Sequence, residues 1–404
     1  MKQAIEPEEA IKILLDFPVE NLYETLPLES VCGRILGEDF HAIYNMPPFD
    51  RSPYDGFALK SEDTTGATSD NPISLRVSGE VRAGDPMSLE VHPGCAVKIL
   101  TGAVIPTGAD CIIKFEEIQQ KGEMILISSP VAADSNYIHA GEEYPAGAVL
   151  LKTGCRLSPA ELAILASQGR RECVVFRRPS VTLITTGSEL SVAGTPLLSG
   201  KIYDTNRYFV SSYLERLGLN CRSFPPIPDD ENQIAEALED AVRISDVVIT
   251  TGGASVGDYD YAISAAKKIG ARILFWKVRQ KPGGAMLAAE VNGKLVLSLS
   301  GNPGSAALGL IHVMTPYLRK LCGDSTYAPQ MVDVILKDPV KKASPCMRLL
   351  RGHLEIHEGK AYIFENRGQG NGMISSLRHF DLLGLIPAGS PPLPAGTHIS
   401  AYCV

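Results

Sequence analysis

Apolar and polar positions along this chain fall into two rhythms. Between Val181 and Ala306, short apolar runs alternate with helix-period stretches. The runs are Val181–Ile184, Asp246–Ile249 and Leu295–Leu299, and the helical patterns are Tyr208–Leu217, Glu231–Val242, Tyr261–Lys268 and Ser305–Leu321. Gly218 and Gly270 follow two of these patterns, where a glycine ends a helix well. Strand–helix alternation predicts a right-handed βαβ sheet of Rossmann-like type. Each apolar run also meets a glycine turn expected to open a helix: Thr185-Thr186-Gly187-Ser188-Glu189, Thr250-Thr251-Gly252-Gly253-Ala254-Ser255-Val256-Gly257-Asp258-Tyr259-Asp260, and Ser300-Gly301-Asn302-Pro303-Gly304-Ser305.

The flanks follow the second rhythm. Pro7–Phe17 reads as an amphipathic helix with proline in its first turn and Ile11, Leu14 and Leu15 on one face. From about Leu26 to Val149 the chain is rich in Gly and Pro, and Ile73–Val77, Cys95–Ile99 and Cys111–Lys114 alternate as half-buried strands. Ser158-Pro159-Ala160-Glu161 is a capping box that opens a helix to about Ser167. Arg177-Arg178-Pro179 marks a boundary, and Val332–Val404 reads as a small all-β domain. There is no internal repeat and no low-complexity tract.

Composition narrows the function classes. A hydrophobic content of 45% with 21% charged residues suits a globular protein with ample core. A formal net charge of −8, with no local Lys/Arg cluster, argues against a nucleic-acid partner. No apolar run approaches the ~20 residues of a membrane span. The opening Met1–Glu9 is too acidic for a signal or transit peptide. Nine cysteines without a C-x-x-C fit a reduced, cytoplasmic protein, and the eight histidines form no zinc pattern.

Strand-to-turn junctions of a parallel sheet collect at its carboxyl edge, where backbone N–H groups and helix dipoles accept anions. Glycine lets the backbone approach a phosphate, and neighbouring carboxylates are hard ligands for a divalent cation. The three junctions therefore point to a phosphorylated ligand or oxyanion held with a metal.

Four blocks, two of them at the first and second junctions, carry a resemblance. Met46-Pro47-Pro48-Phe49-Asp50-Arg51-Ser52-Pro53-Tyr54-Asp55-Gly56-Phe57-Ala58 resembles the P-x-F-D-x-S-x-x-D-G-Y-A signature of the molybdopterin molybdotransferases, the MoeA family, which includes the gephyrin E domain. Lys98–Ala103 with Pro106, Gly108-Ala109-Asp110 and Glu116-Glu117 is similar to their M-T-G-A-x-x-P-x-G-A-D block. Thr186–Leu190 with Ile202-Tyr203-Asp204-Thr205-Asn206 resembles T-G-[SD]-E-L…I-x-[DN]-[ST]-N, and Thr251–Asp260 resembles T-G-G-x-S-x-G-x-x-D. The likeness spans nearly the whole chain.

The resemblance implies a multidomain fold of α/β and β parts. Residues 1–50 with 139–178 would form an N-terminal composite domain, and 51–138 an inserted β-rich domain. Residues 179–325 would form the Rossmann-like α/β domain that binds molybdopterin and nucleotide, and 326–404 a C-terminal β-barrel-like domain. It implies a homodimeric transferase that inserts molybdate into adenylylated molybdopterin and releases AMP with Mg²⁺, in possible contact with the upstream molybdopterin adenylyltransferase.

Asp55, Thr101, Glu189, Asp260 and Lys281 would be the catalytic positions, with Asp55 and Thr101 reaching across the dimer. Thr186, Gly187, Ser188, Gly252, Gly253, Ser255, Gly257, Gly301, Asn302, Pro303 and Ser305 would hold the cofactor moiety. Lys281, Arg351 and Ser375 would face the oxyanion. Glu189, Asp229, Asp230 and Asp260 would serve the metal, although an Asp after Pro228 also reads as a helix N-cap.

This chain departs from the pattern around the oxyanion. K-P-G-K-P reads Lys281-Pro282-Gly283-Gly284-Ala285, so a second cation is missing, and restoring it by Gly284→Lys is expected to tighten molybdate binding. L-P-G-N-P reads Leu299-Ser300-Gly301-Asn302-Pro303, G-E-D reads Gly141-Glu142-Glu143, and Asn371 stands where serine is common. In the R-x-x-F-x-R pattern Arg351 is in register and Arg348 is shifted. Three other readings compete: a related adenylyltransferase, disfavoured by the long flanks; a paralogue that binds molybdopterin or scaffolds a partner; and a tungstate-preferring transferase.

Overall fold

A computed structural model describes residues 2–86, 88–253 and 261–404. The chain divides into two compact units, one of residues 1–38, 153–162 and 171–404, the other of 39–152 and 163–170.

The first unit is organised by a seven-stranded sheet. Its order is Lys2–Ile5, Arg272–Val278, Met286–Val291, Lys294–Leu299, Val247–Thr251, Ser180–Thr185, Asn220–Ser223. Only Met286–Val291 runs against the others. Val247, Ile249, Leu295 and Leu297 face one core with Leu14, Val210, Leu214 and Leu318 from helices. Val248 and Val296 face a second core with Ile234, Leu238 and Ala265. With both faces covered, these strands must be apolar throughout, which is why they read as continuous runs.

The helical expectations hold with adjustments. Glu231–Ile244 and Tyr261–Lys268 form as helices, and the helix after the Ser158 box spans Pro159–Ser167. Glu161 Oε2 accepts from the Ser158 N–H at 2.8 Å, and Ser158 Oγ accepts from the Ala160 N–H at 3.2 Å, so the capping box is made. Three readings change. The first glycine turn opens no helix; it enters a two-stranded ladder of Leu190–Ser191 with Ile202–Tyr203, and the helix begins only at Thr205, capped by Asp204. The stretch after Asn302 is helical from Pro303, widening to a π turn over Leu310–Met314 before Thr315–Leu321. Pro316 has no N–H to give the preceding turn, and Thr315 Oγ1 instead donates to the Leu310 carbonyl at 2.9 Å. The sheet is also mixed: Asn292 (φ 52°) and Gly293 (φ 75°) turn Met286–Val291 back onto Lys294–Leu299 as a hairpin.

The C-terminal part of this unit is all β. Met347–His357, Lys360–Glu365, Met331–Leu336, His398–Cys403 and Leu382–Ile386 pair in that order, and the last pairs with the first, closing a barrel. Gln280–Lys281 adds to it, parallel to Met347–Arg348.

The second unit holds a six-stranded sheet in the order Cys111–Lys114, Gly56–Leu59, Cys95–Ile99, Ile73–Val81, Met124–Ile127, Gln119–Lys121. Phe57, Leu59 and Ile113 pack on one side, Ala58, Val97 and Ile112 on the other. Among the described residues no helix is long and apolar enough to cross a membrane, and none of the nine cysteines is in a disulfide.

Candidate functional site

Strand order locates the crevice. From Ser180–Thr185 the chain passes outward to Asn220–Ser223, then returns past its start to Val247–Thr251. Connections therefore diverge between Ser180–Thr185 and Val247–Thr251, and ligands of open α/β sheets bind at the carboxyl ends of such a switch point.

All three junctions meet there. The Thr186 N–H donates to the Thr251 carbonyl at 2.8 Å, and the Gly252 N–H donates to the Leu299 carbonyl at 3.1 Å. Gly252 has φ +99°, and a Cβ on it would lie 2.5 Å from Thr186 Oγ1 and 3.0 Å from the Thr186 carbonyl carbon. Only glycine fits between the first and second loops. A Cβ on Gly301 would lie 3.5 Å from Gly252 Cα, so the third loop lies beside the second. Gly253 has φ +65°. Ser255, Gly257 and Asp260 lie outside the described residues.

The first loop is pinned on both sides. The Gly187 N–H donates to the Ile227 carbonyl at 3.0 Å. The Ser188 N–H donates to Asp229 Oδ2 and the Asp229 N–H donates to Ser188 Oγ, each at 3.0 Å. Lys201 Nζ donates to the Ser188 carbonyl, bringing an unforeseen cation to the loop. Glu189 is exposed, its carboxylate close over Gly187.

Asp230 takes the capping role, accepting from the Gln233 N–H at 2.9 Å. Glu189 and Asp229 thus flank Ser188 with hard oxygen donors. That set fits Mg²⁺, which takes one or two carboxylates and completes its shell with water and substrate phosphate. Among the described residues no group of three His, Cys, Asp or Glu side chains is close enough to cage a metal alone.

The third loop leads to a buried guanidinium. The Asn302 N–H donates to Ser300 Oγ at 3.3 Å, and the buried Ser305 N–H donates to the Asn371 carbonyl at 3.2 Å. Pro303 is the first residue of the helix that follows. Gly304 lies against Arg351 Nη1, where any Cβ would strike it.

Arg351 is 0% exposed. Its Nε donates to Gln369 Oε1 and its Nη2 to the Gly370 carbonyl, both at 3.3 Å, while Nη1 has no partner among the described residues. Burial lowers its pKa from the usual guanidinium value, opposed by the Glu365 carboxylate. An unpartnered N–H on a buried cation, beside a loop that meets the phosphate crevice, suits an oxyanion.

Lys281 is exposed, in register with Arg348. Ser375 is exposed in the turn Ile374–Leu377 and gives its carbonyl to the Arg378 N–H at 3.2 Å. Gly284 corrects an expectation. A Cβ there would lie 2.5 Å from the Gln280 carbonyl oxygen and 2.6 Å from that of Val278, so a lysine cannot be restored without moving backbone.

In the second unit, the Thr101 N–H and Oγ1 both donate to Asp55 Oδ1, at 2.7 and 2.8 Å. These bonds hold the Asp55 carboxyl below the usual aspartate range, with help from Lys98. Sequence reasoning gave no part to Lys201 or to the individual side chain of Asn206. Nothing in sequence flags Lys201, and Asp204-Thr205-Asn206 announces a cap without showing where Asn206 reaches.

Comparison with known proteins agrees with this geometry. Residues 5–169 match the MoeA N-terminal region (domain I and II), 182–320 the probable molybdopterin binding domain, and 333–404 the MoeA C-terminal region (domain IV). A molybdopterin molybdenumtransferase of Staphylococcus aureus (strain COL) is 34% identical over 395 residues, covering 98% of this chain and 94% of that protein. One from Staphylococcus epidermidis (strain ATCC 12228) is 33% identical over 392 residues, covering 97% and 94%. Among solved structures, the molybdopterin biosynthesis MoeA protein of Pyrococcus horikoshii OT3 superposes with a TM-score of 0.86 at 31% identity, covering 99% of this chain and 100% of that one. The chain belongs to the MoeA family, the molybdopterin molybdenumtransferases.

Proposed function

We propose that this chain transfers molybdate to adenylylated molybdopterin and releases AMP, as a Mg²⁺-dependent homodimer of the cytoplasm. The observation that carries the reading is the meeting of three glycine loops at the sheet's switch point, with the buried Arg351 beside the third. Thr186, Gly187, Ser188, Gly252 and Gly301 offer close backbone approach to the phosphates. Arg351 and Lys281 offer positive charge to the tetrahedral dianion, one preorganised by burial and the other exposed. When bound at Glu189 and Asp229, Mg²⁺ would neutralise charge that develops on the departing phosphate.

Preorganised donors at such a site need no reorganisation as charge develops, which is where their rate advantage arises. Asp55 and Thr101, already fixed to each other, would complete a cleft of the partner subunit. In this reading 179–325 and 326–404 supply the cleft's phosphate and oxyanion sides, and the two N-terminal segments supply its wall from the other subunit.

The test is stoichiometric. Purified protein, adenylylated molybdopterin, molybdate and Mg²⁺ should yield one pterin-bound molybdenum per AMP, measured by metal analysis and nucleotide chromatography. AMP without pterin-bound molybdenum would overturn the transfer.

A further inference from the structure

Asn206 joins two parts of the crevice that are far apart in sequence. Its Nδ2 donates to the Gly301 carbonyl at 2.8 Å, and the residue is 8% exposed. Two positions earlier, Asp204 is 2% exposed and uses both carboxylate oxygens. Oδ2 accepts from Thr185 Oγ1 at 2.6 Å, and Oδ1 accepts from the Arg207 N–H at 3.0 Å. Arg207 Nε in turn donates to Ser223 Oγ at 3.0 Å on the edge strand.

The segment is also tied to the first loop by its backbone. The Ile202 N–H donates to the Glu189 carbonyl at 2.9 Å, and the Asp204 N–H donates to the Ser191 carbonyl at 3.0 Å. The buried Asp204–Thr185 pair therefore fixes the helix start to the end of its strand. Asn206 reaches from that fixed point to the third loop.

A helix cap needs only Asp204. Nothing in the helix itself calls for a buried carboxamide at Asn206 that gives its N–H to another element. Gly301 is exposed, and among the described residues Gly252 is all that a Cβ there would meet within 4 Å. We infer that Asn206 is a positioning residue, which sets the spacing between the Glu189 loop and the Gly301–Asn302 loop and so shapes the cradle for the nucleotide phosphate. The proposal rests on the functional reading above for its ligand, but the bond it invokes stands apart from that reading.

The experiment uses the full chain in three forms: wild type, Asn206→Ala and Asn206→Asp. The last keeps size but turns an oxygen toward the Gly301 carbonyl. Amide hydrogen exchange followed by mass spectrometry should show peptides over 299–305 exchanging about tenfold faster in both variants, the scale of one lost buried hydrogen bond. Peptides of the C-terminal strand His398–Cys403 should be unchanged. AMP affinity by calorimetry should fall about tenfold, and Asn206→Gln, which keeps a carboxamide donor, should recover part of it.

A variant that melts early yet exchanges as wild type over 299–305 would overturn the proposal, leaving a merely structural role. So would unaltered AMP binding in a variant whose loop has loosened. Should Asn206→Ala fail to fold, Thr185→Val, which frees Asp204 from its strand, must still speed exchange at 299–305; wild-type exchange there would overturn the inference. If wild-type protein binds no AMP at all, the functional reading fails, while the exchange result still decides whether Asn206 holds the loop.

Discussion

Two glycines of the crevice separate a demand of the fold from a demand of the ligand. Gly252 has φ +99°, and an added Cβ would lie 2.5 Å from Thr186 Oγ1 and 3.0 Å from the Thr186 carbonyl carbon. Non-bonded atoms favour about 3.5–4.0 Å, so the first and second loops must separate by about 1 Å. Backbone strain of about 1–3 kcal/mol adds to an overpacking cost of similar size. Gly252→Ala should therefore melt below wild type, and its rate of AMP release should fall about 10²-fold, the usual consequence of a displacement of this size.

Gly301 differs: it has no left-handed φ, and a Cβ there would make ordinary contact with Gly252 Cα at 3.5 Å. Gly301→Ala should melt with wild type. It should still lose about tenfold in AMP release, because the methyl group occupies space through which the backbone approaches the phosphate. Thermal melts and single-turnover AMP release on both variants make the test. Wild-type release from Gly252→Ala would refute the loop geometry. Wild-type release from Gly301→Ala would refute the phosphate role of the third loop.

Three further outcomes follow from the same geometry. Gly284→Lys should lower the melting temperature and leave molybdate dependence no tighter than wild type, since its Cβ meets two carbonyl oxygens; tighter dependence in a stable protein would contradict this. Thr101→Val should raise the Asp55 titration toward the usual aspartate value while the Thr101 N–H keeps part of the depression, read by carboxyl NMR. The folded pKa is depressed, so Asp55's contribution is present above its unfolded value and lost as pH falls through the folded one; an unmoved titration would show that the hydroxyl does not hold the carboxylate. Mixed and exchanged Asp55→Ala and Glu189→Ala subunits should recover about a quarter of wild-type activity, since half the dimers would carry one intact cleft; no recovery would refute the shared cleft.

Much of this arrangement was legible in the residues, for identifiable reasons. Tyr261–Lys268 and the Ser158 box announce themselves through period and capping chemistry, and both form as read. The first junction misled because strand, glycine and polar residues are shared by a helix start and by the turn into a short ladder; Asp204, further on, is the actual cap. Lys2–Ile5 is too short to show a period. Met286–Val291 carried its own signal, the Asn292-Gly293 pair that makes a hairpin.

At the site, the three loops were legible because each apolar run meets a glycine turn, in the first two with carboxylates beside it. The space at Gly284 was not, because the atoms that fill it belong to Gln280 and Val278, and only folding brings their carbonyls there. Arg351 could be placed by family register alone. That its guanidinium is buried, with Nη1 unpartnered among the described residues, depends on Gly304, Gln369 and Gly370 closing around it.

The central claim is that phosphate and oxyanion occupy one crevice, so that molybdate governs the fate of the nucleotide. Single-turnover release of AMP from adenylylated molybdopterin, with Mg²⁺ and with or without molybdate, tests it most directly, with sulfate as an inert tetrahedral dianion. The account requires AMP release to accelerate by at least about tenfold with molybdate and not with sulfate, and Arg351→Met to need about tenfold more molybdate, the scale of one charged hydrogen bond. Release at one rate under all three conditions, or an Arg351→Met variant with wild-type molybdate dependence, would contradict it.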